Sequence, residues 1–269
     1  MKKGKNKCMI HKMKLKSKPF YAVKSGYKTI ELRLNDEKRQ KLKIGDSIEF
    51  SLLDNPEEKL VKKIIALHKF SNFTELYQNL PLLKCGETPF TVYYARPEQM
   101  EIYYSKEQQA KYQVLGIVLE EQPLQRFLSA QTGAMLNCSS YETALQEVKS
   151  GLKTTHWMWY VFPQIQGLGI SITSKYYALK NKKEAQEYLA YAVLGTRLIE
   201  ITSALLKLEV SNLETVFGIT DTMKVRSCMT LFDEIAPELK IFREVLKKFC
   251  HDEKDNKTIQ ILSQIVKGN

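Results

Sequence analysis

No stretch of the chain reaches the roughly 18 consecutive apolar residues that a membrane-spanning helix requires. The N-terminus also lacks the apolar segment of a secretory signal, so we expect a cytoplasmic protein that does not enter a membrane. The five cysteines are far apart and form neither a CxxC pair nor a cluster with histidine, so neither a disulfide framework nor a bound metal is predicted. With 43% hydrophobic and 26% charged residues, the composition is that of a globular protein and excludes a collagenous, coiled-coil or disordered chain.

The net charge of +11 is concentrated at one end of the chain. Residues 1–18 contain eight lysines and no acidic residue, whereas residues 19–122 are neutral and residues 123–269 carry +3. A lysine tail attracts phosphate but reads no base sequence. We therefore interpret the first residues as a solvated tail, and the charge alone does not predict a basic nucleic-acid-binding face.

The hydrophobic period changes near Glu120–Pro123. Before this point, short runs typical of strands alternate with turns, at Lys28–Leu34, Ser47–Leu52, Leu60–Leu67 and Tyr112–Glu120. Two helices are predicted between them, at Asn72–Leu80 and Pro97–Lys111. After Pro123 the apolar residues recur at spacings of three and four, which is typical of helices. The sequence therefore predicts an α+β chain with two domains, a small β-barrel with inserted helices followed by an all-α domain.

The first candidate site is the run from Lys28 to Arg33. On a strand, Thr29, Glu31 and Arg33 share one face, and Lys28 stands at the strand entrance. Lys and Arg suit phosphate or a base carbonyl, while Glu accepts from an exocyclic amine. The same Lys–Glu pair would suit proton transfer, so Lys28 and Glu31 are also candidate catalytic residues. The alternative is a solvated strand face with an ordinary ion pair.

The surrounding residues identify a resemblance to a known family. Gly26-x-Lys28-x-x-Glu31-x-Arg33 is similar to the G-x-K-x-x-E-x-R signature of the ASCH domain family. The likeness covers residues 12–121, leaving residues 1–11 as the basic tail. It implies a PUA-like β-barrel whose cleft binds RNA or a modified nucleoside. Some members hydrolyse N4-acetylcytidine with a Lys, a Thr and a Glu; Lys28 stands where that Lys does, but Glu31 replaces the Thr.

The second candidate site joins two segments of the helical half. Both tryptophans, Trp157 and Trp159, lie beside His156, and the cations Lys224 and Arg226 follow about 65–70 residues later. An aromatic wall with nearby cations suits a base and a phosphate, and His156 could act as an acid or base. We predict one pocket formed by His156, Trp157, Trp159, Gln164, Lys224, Arg226 and Ser227. The alternative is that the aromatic residues form a core and the cations face water.

This half also resembles a known family. His156-Trp-Met-Trp, Phe162-Pro-Gln and Asp221-x-x-Lys224-x-x-Ser227 are similar to conserved runs of the bacterial domain-of-unknown-function family 1810. The likeness extends from Leu124 to about Leu262, which is nearly all of the second domain, residues 123–269. It implies an all-α fold without an established reaction. At Tyr191-Ala192 the family usually has His-Pro, so no histidine role is expected there.

Three functions are compatible with these features. The first is binding of RNA or of a modified nucleoside or nucleotide by the barrel, accompanied by a helical domain of unknown activity. The second is an enzyme whose helical domain acts on a nucleotide-derived molecule similar to NAD or ADP-ribose. The third is an interaction scaffold without catalysis. No cofactor is predicted, and the sequence does not indicate an oligomeric state.

Overall fold

The computed structural model describes residues 8–133 and 138–267 and divides the chain into two compact units, Met1–Gln125 and Arg126–Asn269. The first unit contains five strands: β1 (Ile10–Leu15), β2 (Ile30–Leu34), β3 (Ser47–Leu52), β4 (Lys59–Phe70) and β5 (Val114–Leu119). It also contains the helices α1 (Ser17–Lys24), α2 (Phe73–Asn79) and α3 (Lys106–Tyr112) and the 3-10 helices Arg39–Lys41, Val92–Tyr94 and Pro97–Ile102. The four strands predicted from the sequence are confirmed to within three residues at each end.

The five strands form one curled sheet, a half-barrel, in the order β1-β3-β4-β5-β2. The outer strand β1 pairs with β3 in parallel, and all other pairs are antiparallel. Strands β1 and β2 are therefore the two ends of the sheet and form the seam of the half-barrel. Residues 1–7 of the predicted basic tail lie outside the described residues, whereas Ile10 and His11 belong to β1.

The sheet has a separate apolar core on each side. On the concave side, Phe20 of α1 packs with Ile48, Phe50 and Ile117. On the convex side, Ile30, Leu32 and Leu34 pack with residues of α2. Directly opposed residues of antiparallel strands point to the same side of a sheet. Because Glu31 is opposite Ile117 and Arg33 is opposite Leu115, both charged residues lie on the concave side.

The second unit is helical, as the hydrophobic period predicts, and within its described residues the single β-bridge is Ile165–Leu179. Its helices are α4 (Gln125–Gln131, beginning at the unit boundary), α5 (Tyr141–Ser150), α6 (Met158–Val161), α7 (Ile172–Tyr176), α8 (Lys182–Ala190), α9 (Ala192–Leu206), α10 (Glu214–Ile235), α11 (Ile241–Phe249) and α12 (Asn256–Lys267). Helix α10 is kinked at Gly218. The core between these helices is rich in aromatic side chains, including Phe127, Trp157, Tyr160, Phe162, Tyr177, Tyr188 and Phe232.

Candidate functional site

A cleft of about 400 Å³ opens at the seam of the half-barrel. Strand β1 and helix α1 form one side, β2 forms the floor, and the segments before and after Gly86 and around Tyr103 form the other side. Lys28, Glu31 and Arg33 all line this cleft. A larger concavity, about 510 Å³, lies beside α2 and α3 and includes none of the predicted site residues. The seam cleft is therefore the candidate site of the first unit.

The centre of the cleft is the carboxylate of Glu31, which is only 4% exposed. Its Oε1 lies 2.9 Å from Nε of Arg33, and its Oε2 lies 3.3 Å from Nζ of Lys28. Oε2 is buried and, among the described residues, accepts no hydrogen bond of good geometry. A buried carboxylate oxygen without a donor retains its capacity to accept from a ligand.

Arg33 joins the two edges of the seam. Its Nη2 donates to the carbonyl of Lys14 in β1 at 3.0 Å, and its Nη1 donates to the hydroxyl of Tyr104 at 3.4 Å. Burial disfavours the charged guanidinium, but the neighbouring Glu31 and Tyr104 outweigh burial and raise the pKa of Arg33. Arg33 therefore stays charged and holds the floor of the cleft against β1.

Lys28 is buried beside Glu31 and is fixed by the loop that follows Leu82. Its Nζ donates to the carbonyl of Cys85 at 2.7 Å. Gly86 has φ of 111°, and a Cβ built there would lie 3.2 Å from Cδ of Lys28. A residue with a side chain would therefore press on the lysine stem and would be strained at this φ. The loop thus places an ammonium group against Glu31.

Aromatic and apolar side chains form the remaining walls, namely Tyr27, Leu82, Tyr77, Met100, Tyr103 and Tyr104. Burial raises the pKa of Tyr77 to about 12, and it raises the pKa of Cys85 to about 11 despite the opposing effect of Lys28. Both groups are therefore neutral at pH 7. Cys85 is a protonated thiol in the wall of the cleft, which does not suit a nucleophile.

The cleft is electropositive. Five cationic side chains line it, against the carboxylates of Glu31 and Glu87, which gives a net charge of +3. Lys28 and Arg33 lie inside the cleft, while Lys14, Lys16 and Lys18 are exposed at its rim. A cleft with this charge raises the local concentration of anionic ligands.

In the helical unit, Trp157 lies in the core. Its side chain has no exposed surface, and its Nε1 donates to Oε2 of Glu147 at 2.7 Å. Glu147 also accepts from Thr154 N at 3.0 Å, Thr154 Oγ1 at 2.8 Å and Thr155 N at 3.2 Å. A side chain without exposed surface cannot form the wall of an open pocket, so for Trp157 the structure supports the alternative interpretation of core packing.

Trp159 is half-buried and lies close to one of the predicted cations. Nζ of Lys224 is 4.4 Å from the centroid of its ring. The same ammonium lies 2.8 Å from Asp221, whose second oxygen lies 2.9 Å from Nζ of Lys153. Burial opposes ionisation of Asp221, but the two lysines outweigh it and lower its pKa. Two lysines and one aspartate thus carry a net positive charge next to Trp159.

Arg226 and Ser227 have partners in the segment that leads into α12. Arg226 donates to Glu253 and to the carbonyl of Lys254, and Ser227 donates to Asp255 at 3.0 Å. The structure therefore brings Trp159 together with Lys224 but gives Arg226 and Ser227 other partners. His156 is exposed and Gln164 is half-buried. A single pocket containing all seven residues stays a prediction.

Sequence reasoning did not identify several residues that shape these two sites. Tyr77 and Tyr104 belong to segments far from the signature in sequence, and nothing in their local pattern distinguishes them from core tyrosines. Glu147 lies on a helix that reads as amphipathic, although an acidic residue at a buried helical position was a signal that could have been used.

Two features bear on metals and membranes. Within the described ranges, no group of three or more His, Cys, Asp or Glu residues is arranged to hold a metal ion. In the same ranges no single helix is long and apolar enough to cross a membrane, although α8 and α9, bent by 87° at their junction, pass that test as a pair by length and composition.

A curled half-barrel with a Lys–Glu–Arg cleft at its seam defines an ASCH-type domain with a PUA-like fold, and the model of the ASCH domain matches residues 13–123. The chain belongs to the family described as "protein of unknown function (DUF1810)", whose model matches residues 121–262. The two resemblances inferred from the sequence are thus confirmed.

Among solved structures, the chain is similar to the conserved hypothetical protein Rv1873 from Mycobacterium tuberculosis, with 35% identity over 52% of this chain and 96% of that one and a TM-score of 0.49. It is also similar to the hypothetical protein PH0355, with 28% identity over 42% of this chain and 100% of that one and a TM-score of 0.35. Protein PF0455 from Pyrococcus furiosus is 27% identical over 42% of this chain and 97% of that one, with a TM-score of 0.34. No curated protein matches the chain.

Proposed function

We propose that the seam cleft binds a nucleobase, presented by RNA or by a modified nucleoside or nucleotide. The observation that carries this proposal is the carboxylate of Glu31, which is buried between Lys28 and Arg33 yet lines an open cleft with an acceptor oxygen to spare. The ASCH assignment supports it, because the domain has an RNA-binding-like, PUA-like fold.

The chemistry of the cleft fits a base better than it fits a simple anion. A carboxylate accepts from an exocyclic amine, and the neighbouring cations donate to base carbonyls. Tyrosine rings on the walls offer stacking surfaces. The volume of about 400 Å³ is within the range of small-ligand pockets. Among the bases, cytosine and guanine carry both an exocyclic amine and a carbonyl, so the cleft should prefer them over uracil, which has no exocyclic amine.

Binding describes these contacts better than catalysis does. Lys28 is held by the Cys85 carbonyl at 2.7 Å and by Glu31 at 3.3 Å, so its ammonium group already contacts two oxygens of the protein. A general base must instead present a lone pair to the proton that it abstracts. We propose that Lys28 orients Glu31 and donates to the ligand.

The test is equilibrium binding of the four common nucleosides and N4-acetylcytidine, measured by calorimetry at matched salt. Arg33→Ala should weaken binding by about 1–3 kcal/mol, roughly 5- to 150-fold, if Arg33 makes a bidentate contact. Glu31→Gln should lose the preference for amine-bearing bases, because an amide at this position presents a donor as well as an acceptor.

Arg39→Ala is the matched control. Arg39 pairs with Asp36 at 2.7 Å and does not line the cleft, so its loss changes the charge of the same unit equally. Arg33→Lys separates loss of charge from loss of the guanidinium geometry, and circular dichroism verifies that each variant is folded. Equal nucleoside affinity for wild type, Arg33→Ala and Arg39→Ala would contradict the proposal.

A further inference from the structure

Three lysines at alternate positions form a row along one rim of the seam cleft. Lys14 lies in β1, Lys16 lies directly after it, and Lys18 lies in the first turn of α1. All three are exposed and all three line the cleft. The chain is extended from Lys14 to Lys16, and two residues of extended chain span about 7 Å. The side chains of Lys14 and Lys16 therefore leave the backbone about 7 Å apart.

The charge of this rim is not neutralised by the protein. Within the described residues, Lys14, Lys16 and Lys18 form no ion pair with a carboxylate. The negative charge at the floor, on Glu31, is paired with Lys28 and Arg33 rather than with the rim lysines. The rim thus retains its positive charge.

An exposed aromatic ring accompanies the lysine row. Tyr103 is 56% exposed and lines the cleft, and Nζ of Lys16 lies 5.1 Å from the centroid of its ring. An exposed ring beside a cation offers stacking to a base and an ion pair to the adjacent phosphate. This arrangement is typical of surfaces that bind single strands, whose bases are free to unstack.

We infer that the ligand of the cleft is part of a single-stranded nucleic acid, with the phosphates that flank the bound base lying along Lys14, Lys16 and Lys18 and a neighbouring base stacked on Tyr103. This inference rests on the proposed function and names the class of ligand. A free nucleoside has no phosphate for the lysine row, and a mononucleotide has only one. Three cations at alternate positions match a strand with several phosphates.

The experiment compares nucleosides, 5′-monophosphates and homopolymeric tetranucleotides of each base, both ribo- and deoxyribo-, by fluorescence anisotropy and calorimetry on the full chain. Affinity is measured between 50 and 200 mM salt. The test variant is Lys14→Gln/Lys16→Gln/Lys18→Gln. The matched control is Lys38→Gln/Lys41→Gln/Lys43→Gln, which removes three exposed lysines of the same unit that do not line the cleft.

Each phosphate neutralised on a single strand contributes a slope of about −0.7 to the dependence of log affinity on log salt. Loss of three contacts should therefore reduce the slope for the tetranucleotide by about 2. Over the fourfold rise in salt, wild type should lose roughly 15- to 20-fold more affinity than the test variant does. The control variant should retain the wild-type slope, and Tyr103→Ala should weaken tetranucleotide binding more than it weakens nucleoside binding.

The outcomes separate the two proposals. If both triple variants have the same slope, or if tetranucleotides bind no more tightly than nucleosides, the lysine row does not contact phosphates and the inference is wrong. If instead Glu31→Gln leaves the base preference unchanged while the lysine variant changes the slope, the row binds phosphate but the proposed base site fails. Stronger binding of ribo- than of deoxyribo-tetranucleotides would identify RNA as the source of the strand.

Discussion

Glu147 is expected to be a major source of stability in the helical unit. It is 8% exposed and accepts four hydrogen bonds, from Trp157 Nε1, Thr154 N, Thr154 Oγ1 and Thr155 N. These bonds connect α5 to the segment that enters α6. Glu147→Gln keeps the shape of the side chain but removes its charge and turns an amide NH₂ toward groups that are themselves donors.

The size of the effect follows from the pKa of the carboxyl group. Burial raises this pKa, but hydrogen bonds from Trp157, Thr155 and Thr154 outweigh burial and lower it from 4.5 to about 2. The difference between these two pKa values corresponds to about 3 kcal/mol of stability at pH 7. We therefore expect Glu147→Gln to lower the free energy of unfolding of the helical unit by about 3 kcal/mol at that pH.

The contribution of Glu147 to the free energy of unfolding should decrease as the pH is lowered. A carboxyl group with a lowered folded-state pKa contributes its full stability above its unfolded pKa of 4.5 and loses it as the pH falls toward about 2. The contribution should decrease to about 1.5 kcal/mol at pH 3. The difference in stability between wild type and Glu147→Gln should therefore become smaller as the solution is acidified.

The assay is urea unfolding followed by tryptophan fluorescence. Both tryptophans, Trp157 and Trp159, lie in the helical unit, so the signal reports on that unit in the full chain. Glu142→Gln is the control, because Glu142 lies on the same helix but is 67% exposed, and its ion pair with Arg197 should contribute less than about 1 kcal/mol. Equal stability of the two variants at pH 7, or a difference between wild type and Glu147→Gln that is constant from pH 7 to pH 3, would refute the reasoning.

Two further predictions concern the packing of the same unit and use the same assay. Gly195→Ala should destabilise the helical unit by about 2–3 kcal/mol, because a Cβ at this position would lie 1.9 Å from the carbonyl oxygen of Leu189. Backbone atoms cannot move aside as a flexible side chain does. An unchanged urea midpoint would contradict this prediction. Arg126→Lys should destabilise the helical unit by about 2 kcal/mol, because a lysine cannot reproduce the two 3.0 Å hydrogen bonds from Arg126 to Glu184. A variant as stable as wild type would show that these hydrogen bonds contribute little.

The architecture was largely predictable because each unit repeats one hydrophobic period. Strand β3 alternates between buried and half-buried residues along its whole length, and its bounds agree with the prediction. Strand β1 was missed because two of its three exposed positions, Lys12 and Lys14, are lysines, which make the segment look like the rest of the basic tail. Its buried residues Met13 and Leu15 were the available signal, but two apolar residues are too few to separate a short edge strand from a tail.

The candidate sites were less predictable, because they are formed by contacts between residues that are far apart in sequence. The signature predicted that Lys28, Glu31 and Arg33 belong together, but only the pairing of β2 with β5 shows that Glu31 and Arg33 lie on the concave side. In the helical unit, the density of unusual residues around Trp157 reflects core packing of that ring. Local sequence contains no information on which distant carboxylate receives an indole N–H, so the contact with Glu147 could not be predicted.

The charged residues Glu31 and Arg33 in β2 have two possible explanations, stability of the fold and recognition of a ligand, and their position distinguishes between these explanations. Their neighbours on the same side of the sheet, Leu115 and Ile117, are apolar and fully buried, so the fold would accept apolar side chains there. Burying a carboxylate with two cations is often less stabilising than apolar packing of the same volume. The charges also stand beside an opening rather than in a closed core. Departures of a chain from its own pattern are expected at functional sites, so these buried charges at a cleft are an argument for the proposed ligand site.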